Sequence, residues 1–538
     1  MGAPLALAPF LPSAGIVASA LAVAGVFALP SLRARAIAAI AALILAPALL
    51  LGELWDNPQI ESLRDRPAAL AVALFLGALA VVALGALFAR RPVLLPLLAF
   101  AALPFRIPVE TGGESANLLI PLYAVVAGGV AAYAWERLRG GLPGWVDEPI
   151  KPPRVELAVI AFVALYALQA GYSTDFEQAV KNVAFFYVPF ALLLKLLTAV
   201  EWTKRLAARC LGITVALAVC FAAIGFWEYQ ARELLWNQKV IESNQFESYF
   251  RVNSLFFDPN IYGRYLALVM VALAAVLLWD KRPREIALTA LVLALLWGGL
   301  VLTFSQSSFA ALMVGLIVIA CVRWRPWPVL AGVGAVGLIA LIVVVAAPGQ
   351  VGIDTNSDNP LDKATSGRFE LLGGGLDMFI ARPVWGFGSG SFAERFRERE
   401  NSSSRRAASA SHTIPITIAA EQGIVGLVAY TAVLFLAFQL MFGRLRWTRR
   451  RGPPTLPPIG RTIVAAAFTA LVFHTMTYAA FLEDPITWTL IGLGIAIRLS
   501  PDESASASSY DSASSEASSP PSPPESRSER ARTTLCSP

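Results

Sequence analysis

Apolar stretches about as long as a bilayer is thick recur along almost the whole chain, and they limit its fold more than any other feature. A hydrocarbon core about 30 Å thick needs roughly 20 apolar residues per crossing helix. Some stretches are short, and two of them (93–105 and 485–498) suit re-entrant segments, so we predict roughly 12 to 15 transmembrane helices. The candidates are 13–30, 36–53, 68–89, 93–105, 118–135, 156–172, 183–200, 206–227, 261–279, 286–303, 306–322, 328–347, 413–442, 462–481 and 485–498.

The composition agrees with an all-α polytopic membrane protein. Hydrophobic residues make up 57% of the chain and charged residues only 15%, whereas soluble domains are about half apolar and a quarter charged. The net charge of +6 is modest, and we expect membrane lipids rather than nucleic acid around this protein. The scattered cysteines predict neither a disulfide framework nor a zinc site; they are Cys210, Cys220, Cys321 and Cys536.

The basic residues orient the helices, because cytoplasmic loops of membrane proteins are enriched in Lys and Arg. Basic clusters occupy alternate loops, and the intervening loops carry mixed or acidic charge. One orientation satisfies nearly every loop, and it predicts a cytoplasmic C-terminus and a long loop outside the inner (cytoplasmic) membrane. The clusters are Arg33 and Arg35, Arg90 and Arg91, Arg137 and Arg139, Lys204 and Arg205, Lys281 to Arg284, Arg323 and Arg325, and Arg444 to Arg451.

This topology divides the chain into four parts. Residues 1–347 form an N-terminal set of transmembrane helices, and residues 348–411 form one large extracytoplasmic loop. Residues 412–500 form a C-terminal set of helices. Residues 501–538 are rich in serine and proline and carry mixed charge, so we expect a disordered cytoplasmic tail.

The large loop carries the residues best suited to chemistry. The chain has only two histidines, and His412 ends the loop at the point where the sequence returns to the membrane. Arg368 lies in the segment ATSGRFELL, and a glycine-rich turn, PVWGFGSGSF, follows it. An imidazole and basic residues at the membrane face suit a lipid-linked, phosphate-bearing substrate. The glycines favour a tight turn over a ligand cradle. Phe379, Trp385 and Phe387 are expected at the membrane interface.

A second polar stretch, SYFRVNSLFFDPNIYGRYLALVM, precedes the span at 261–279. Asp258 followed by Pro259 is a helix-start signal, which is the ordinary explanation for Asp258 and Asn260. Arg264 lies about one turn inside the span, where an arginine must reach the interface or meet an anion. Arg251 and Arg264 are therefore candidates for binding a phosphate.

Three further features have ordinary structural explanations. Ser305, in LTFSQSSFAALM, can bind a sugar or a phosphate, although serines in membrane helices commonly bond to their own helix. His474 suits a buried histidine with satisfied hydrogen bonds, and it is the alternative catalytic candidate. Asp56, Glu61 and Asp65 fit solvated loop charge better than a cation site. No acidic pair has metal-ligand spacing, so we expect a metal-independent reaction without a cofactor.

In this order, RVNSLFFDPNIYGRYL, LTFSQSSFAAL, SGRFELLGGGLDMFIARPVWGFGSGSF and SHTIPITIAAEQGIVGL resemble the O-antigen ligase and polymerase superfamily. The resemblance covers roughly residues 250–440, and the last two spans are also typical. Its members are bacterial membrane glycosyltransferases that use polyprenyl-pyrophosphate-linked glycans. The resemblance implies a helical fold of the C-type glycosyltransferase kind with its active site at the outer face. Gln306 stands where the pattern usually has a basic residue, and Thr413 where it usually has Asn.

Carried over by motif, the essential residues of this superfamily become His412, Arg368 and Arg251. Guanidinium groups bind phosphate in a bidentate way and keep their charge, so they suit a pyrophosphate leaving group. An imidazole with a pKa of about 6.5 can take the proton of an acceptor hydroxyl. Arg264, Asn260, Asp258 and Ser305 are the expected substrate-binding residues.

Two alternatives remain open at this stage. A polymerase would use the same donor but add its glycan to another lipid-linked repeat, whereas a ligase would use a separate glycan or lipid acceptor. A flippase for lipid-linked oligosaccharides would also have many spans and arginines in an outer cavity. Such transporters commonly show internal repeats and paired broken helices. This chain instead has one oversized loop, which favours an enzyme.

Overall fold

The computed structural model describes most of the helical part of the chain. The described residues are 10–53, 66–111, 114–140, 144–146, 151–235, 240–241, 244, 249–279, 282–324, 326–346, 368–399, 413–443, 459–478 and 480–499. His412, the acidic residues Asp56, Glu61 and Asp65, and the tail 501–538 lie outside them.

The first half of the described chain is a series of helices interrupted by one β-hairpin. The helices are α1 (Phe10–Ala28), α2 (Leu32–Glu53), α3 (Pro67–Arg90), α4 (Leu94–Ala102), α5 (Ile120–Arg139), α6 (Arg154–Ala170), α7 (Phe176–Asn182), α8 (Val188–Ala199) and α9 (Lys204–Ala231). A π-helical segment, Val183–Tyr187, joins α7 to α8 without a break. The hairpin pairs β1 (Ile107–Thr111) with β2 (Glu114–Leu118) in antiparallel register, with Ile107 opposite Leu118.

The second half has helices joined by turns and no β-strand among its described residues. The helices are α10 (Pro259–Trp279), α11 (Pro283–Leu302), α12 (Gln306–Arg323), α13 (Pro326–Ala346), α14 (Arg368–Ala381), α15 (Phe392–Arg399), α16 (Ile414–Phe442), α17 (Ile459–Thr475) and α18 (Pro485–Leu499). Proline opens several of these helices, as its fixed φ and missing N–H favour at a first helical position.

An all-α polytopic membrane protein is confirmed. Every apolar stretch predicted to span the membrane coincides with a helix or with the continuous α7–α8 rod. In the described part of the chain, nine helices are long and apolar enough to cross a bilayer, and α1, α17 and α18 are shorter apolar helices. The sequence did not predict the β-hairpin or the two helices α14 and α15 inside the large loop.

Small residues allow the helices around α12 to pack closely. A Cβ atom added at Gly315 of α12 would lie 2.4 Å from Val271 of α10 and 3.3 Å from Ala470 of α17. A Cβ atom at Gly263 would lie 2.7 Å from the hydroxyl of Ser308. Association of helices inside a membrane depends on such close backbone approach rather than on hydrophobic burial. The packing brings the start of α10, the start of α12 and the end of α17 to one end of the bundle.

Candidate functional site

Buried and half-buried polar side chains gather at this end of the bundle, and we call them the polar cluster. They come from the segment before α10 and its first turns, the turn before α12 and its first turn, the end of α17 and the residues after it, and the segment before α18. The members are Arg251, Asp258, Asn260, Arg264, Ser305, Ser307, Ser308, His474, Tyr478 and Asp484.

Arg251 is held by three contacts in the segment before α10. Its Nε donates to the carbonyl oxygen of Thr303 at 3.0 Å, and its Nη2 donates to Oδ1 of Asn260 at 3.3 Å. The side chain of Asn244 bonds to both the N–H and the carbonyl of Arg251. No described carboxylate forms an ion pair with Arg251. A half-buried guanidinium fixed at two atoms and lacking such a counter-ion can accept an anion.

Glu228, which the sequence analysis missed, anchors the segment that carries Arg251. This fully buried carboxylate of α9 accepts from the backbone N–H of Ser254 at 2.7 Å and of Leu235 at 3.4 Å. Ser254 has a φ of +51°, and its hydroxyl donates to the carbonyl of Phe221. An acidic residue inside an apolar span is costly unless it has such partners, which is the signal that would have found it.

Asp258 and Asn260 combine a structural role with contacts to the cluster. Oδ1 of Asp258 accepts from the N–H of Asn260 at 2.6 Å, so Asp258 caps the start of α10 as its position before Pro259 predicts. The hydroxyl of Tyr478 also donates to Asp258.

Arg264 is buried and forms an ion pair inside the protein. Its Nη2 lies 2.6 Å from Oδ2 of Asp484, and both side chains are almost fully buried. Asp484 also accepts from the N–H of Ile486 at the start of α18. Arg106 lies near this pair: burial lowers its pKa, and Asp484 raises it. Arg264 therefore meets an anion and does not extend toward the membrane surface, so the ion pair locks α10 to α18.

The serine turn and His474 form a continuous hydrogen-bonded group. Ser305 caps α12, and its hydroxyl lies 2.8 Å from that of Ser308 and 3.1 Å from that of Ser307. Nε2 of His474, which is fully buried, lies 3.2 Å from the Ser308 hydroxyl and 3.3 Å from the Ser307 hydroxyl. The Ser308 hydroxyl donates to the carbonyl of Asn260 at 3.2 Å. His474 is thus linked to Arg251 through Ser308 and Asn260.

Helices α14 and α16 run in the same direction, with both first turns at one end of the pair. Gly375 packs against Ile416, and farther along both segments the N–H of Ile424 donates to the carbonyl of Pro383 at 2.8 Å. Arg368 is the first residue of α14, and Thr413 occupies the N-cap position of α16 without a capping bond from its side chain. The Thr413 hydroxyl donates to the carbonyl of Met476 at 3.1 Å, beside the end of α17. The start of α16 therefore lies beside the residues that connect His474 to Tyr478.

The glycine-rich turn is structural. Gly386, Gly388 and Gly390 all have positive φ, and a Cβ atom at Gly386 would lie 2.3 Å from the backbone of Glu421. The turn packs on a break in α16 at Gly423, whose φ is +64°. The buried carboxylate of Glu421 accepts from the N–H groups of Gly390 at 2.9 Å and of Phe392 at 3.2 Å. These bonds satisfy backbone groups that the broken helix and the turn would otherwise leave unpaired.

The described residues that the sequence predicts for substrate binding, together with Arg251, all lie in the polar cluster. They are Arg251, Asp258, Asn260, Arg264 and Ser305. For Arg368 the structure gives the position at the start of α14, and His412 lies one residue before the cap of α16. Within the described residues, no group of His, Cys, Asp and Glu is arranged to hold a metal ion.

The fold is that of a polytopic helical membrane protein, with a cluster of charged and hydroxyl-bearing side chains at one end of its bundle. Residues 290–431 match the family model described as O-Antigen ligase. This match extends from α11 through the serine turn and the large loop to α16, and it places the segment in the O-antigen ligase and polymerase superfamily. The resemblance seen in the sequence is thereby confirmed. No protein among the curated sequences matches the chain.

Proposed function

We propose that this protein transfers a polyprenyl-pyrophosphate-linked glycan to an acceptor hydroxyl at the outer face of the inner membrane. The observation that carries the proposal is Arg251, a fixed guanidinium with no described carboxylate paired to it. The serine turn of its cluster belongs to the family-matched segment, and α10 and α17 pack on α12 of that segment. Arg251 and Arg368 would bind the pyrophosphate and neutralise the charge that develops as it leaves.

The proposed reaction is a single displacement. The acceptor oxygen attacks the anomeric carbon of the glycan and forms the new glycosidic bond. The bond from that carbon to the pyrophosphate oxygen breaks, and the polyprenyl pyrophosphate leaves with the bonding electrons. His412 takes the proton of the acceptor hydroxyl as the bond forms. We expect no metal or cofactor in this step.

The polar cluster would support the donor in two ways. Asn260 offers a hydrogen-bonding group at Arg251, and Asp258 fixes the start of α10, which carries Asn260. Ser305 offers a hydroxyl from the turn before α12. The positive charge of Arg264 is already balanced by Asp484, so we propose that Arg264 contributes by holding α10 and α18 together around the donor.

A reconstituted transfer assay tests this proposal. Purified protein in detergent, incubated with a lipid-linked oligosaccharide and a candidate acceptor, should release free polyprenyl pyrophosphate and form a glycosylated product. Mass spectrometry of the product separates a ligase, which glycosylates a separate acceptor, from a polymerase, which doubles the lipid-linked glycan. Movement of the donor across vesicle membranes without any transfer would instead identify a flippase and contradict the proposal.

A further inference from the structure

A groove of about 500 Å³ opens beside the turn that joins α14 to α15, and none of its lining residues belongs to the polar cluster. Cavities of this size accommodate a small ligand or the head group of a larger one. The lining residues are Tyr172, Arg382, Pro383, Val384, Trp385 and Gly386.

The walls of the groove are fixed by backbone contacts. The Tyr172 hydroxyl donates to the carbonyl of Trp385 at 2.6 Å, and Nε2 of Gln169 donates to the same carbonyl at 3.4 Å. The carbonyl of Pro383 accepts a hydrogen bond from the N–H of Ile424. Gly386 has a φ of +67°, which its close contact with the backbone of Glu421 requires. The groove is therefore preformed, so binding a ligand does not require the free-energy cost of ordering its walls.

Arg382 gives the groove a positive charge that is not balanced locally. Its guanidinium lies 4.7 Å from the ring centroid of Phe387, which restrains the side chain. No carboxylate pairs with Arg382 among the residues the structure describes. Arg395, 5.3 Å from the centroid of the same ring, is by contrast paired with Glu398 at 2.7 Å. A restrained and exposed guanidinium of this kind favours an anion, and phosphate matches its planar donors.

The surroundings of the groove are apolar and exposed. Trp385 is 57% exposed, and Val384, Ile424 and Val428 also present their side chains at the surface. In a bundle that crosses a bilayer, such apolar surface contacts lipid chains. Tyr172 lies just beyond the end of α6, and Trp and Tyr are enriched where chains meet head groups. The groove thus combines an interfacial aromatic pair, a lipid-facing wall and one free cation.

We propose that this groove binds the phosphate of a membrane-resident lipid. Arg382 would donate to the phosphate, the indole of Trp385 would cover it, and the lipid chain would lie along Val384 and Ile424. This inference goes beyond the proposed transfer reaction and does not depend on it. A phospholipid of the bilayer and a prenyl pyrophosphate share the required chemistry, and the experiment distinguishes them.

Native mass spectrometry of the purified full-length protein in detergent provides the test. The probes are dioctanoyl phosphatidylglycerol, farnesyl pyrophosphate and, as an uncharged comparison, dioctanoylglycerol. Arg382→Gln should weaken binding of a phosphate probe by about tenfold or more, since a charge-assisted hydrogen bond is lost. Arg382→Lys should weaken binding of the same probe by a smaller factor than Arg382→Gln. Arg399→Gln is the matched control, because it removes an arginine of α15 that is paired with Asp377 outside the groove.

Each result decides the question. Selective loss of phosphatidylglycerol binding in Arg382→Gln supports a bilayer lipid, and selective loss of farnesyl pyrophosphate binding supports a prenyl lipid. The proposal is wrong if neither phosphate probe binds better than dioctanoylglycerol. It is also wrong if Arg399→Gln weakens phosphate-probe binding as much as Arg382→Gln does. Because binding is read without glycan transfer, an inactive protein that still binds through Arg382 would contradict only the proposed function.

Discussion

At the scale of single residues, the two kinds of arginine in the polar cluster differ in what balances their charge. Arg264 lies against Asp484, whereas Arg251 is held by a carbonyl and an amide, which carry no net charge. The same residue type in the same segment of sequence therefore has two roles. Only Arg251 retains the electrostatic capacity to attract a phosphate.

The proposed roles of His412 and Arg251 predict different kinetic defects. His412→Ala should lower the transfer rate by about 10²- to 10⁴-fold and leave binding of the lipid-linked donor intact, because proton removal contributes little to ground-state binding. Arg251→Lys keeps the charge but loses the planar donor pair, so both donor affinity and rate should fall. Single-turnover assays and donor titrations on the same preparations measure both.

The control for this comparison is His474→Ala, since His474 bonds to serine hydroxyls of the cluster. Near-normal turnover of His412→Ala between about pH 6 and 8 would remove His412 as the general base, and a rate collapse in His474→Ala with intact folding would put His474 in its place.

The buried ion pair predicts an asymmetric effect on stability. Removing one partner, in Asp484→Asn or in Arg264→Met, leaves an uncompensated buried charge or an unpaired polar group and should lower the free energy of unfolding by about 3–5 kcal/mol. The double variant Arg264→Met with Asp484→Leu should recover much of that loss, because both charges are removed together. Thermal unfolding in detergent, followed by tryptophan fluorescence, measures the difference. If the double variant loses as much free energy of unfolding as the two single variants together, the two charges are not coupled.

At the scale of elements, the break in α16 and the glycine-rich turn form one unit. The turn supplies carbonyls and N–H groups to the backbone around Gly423, and Glu421 closes the unit by accepting from Gly390 and Phe392. Helix α14 thereby packs along the first turns of α16. This arrangement brings the starts of α14 and α16 to one end of the pair; in the sequence, Arg368 opens α14 and His412 precedes Thr413.

Two glycine substitutions test this unit. Gly386→Ala should destabilise the protein strongly, because its φ is +67° and the added Cβ would lie 2.3 Å from the Glu421 backbone. Gly373→Ala is the matched control in α14, since no atom lies within 4 Å of the added Cβ and alanine favours a helix by about 1 kcal/mol over glycine. Thermal unfolding should therefore shift in opposite directions for the two variants. If both variants shift the unfolding temperature equally, the turn is not rigidly packed against α16.

At the scale of the whole molecule, the orientation of the bundle remains a prediction from the basic loops. All helix ends that form the polar cluster lie on the side to which the large loop connects. The positive-inside rule assigns that side to the exterior.

Labelling of introduced cysteines tests the orientation. Cysteines placed near Ser357 and Ser402 should react with impermeant maleimides added to intact cells, and one near Arg449 should react only after the membrane is opened. The native cysteines are first replaced, and the unlabelled parent is the control. Labelling near Arg449 from outside would reverse the orientation and move the proposed active site to the cytoplasmic face.

The sequence by itself determined the helices, their approximate bounds and the cap of α10, because these follow from local hydrophobicity and from single residues such as Asp258 and Pro259. It also selected Arg251, Asn260, Arg264 and Ser305 one by one. Only the tertiary structure decided how they connect: the pairing of Arg264 with Asp484, the anchoring of the Arg251 segment by Glu228 and the linking of His474 to Asn260 all join residues far apart in the chain. Such contacts depend on close helix packing, and local patterns in the sequence do not specify them.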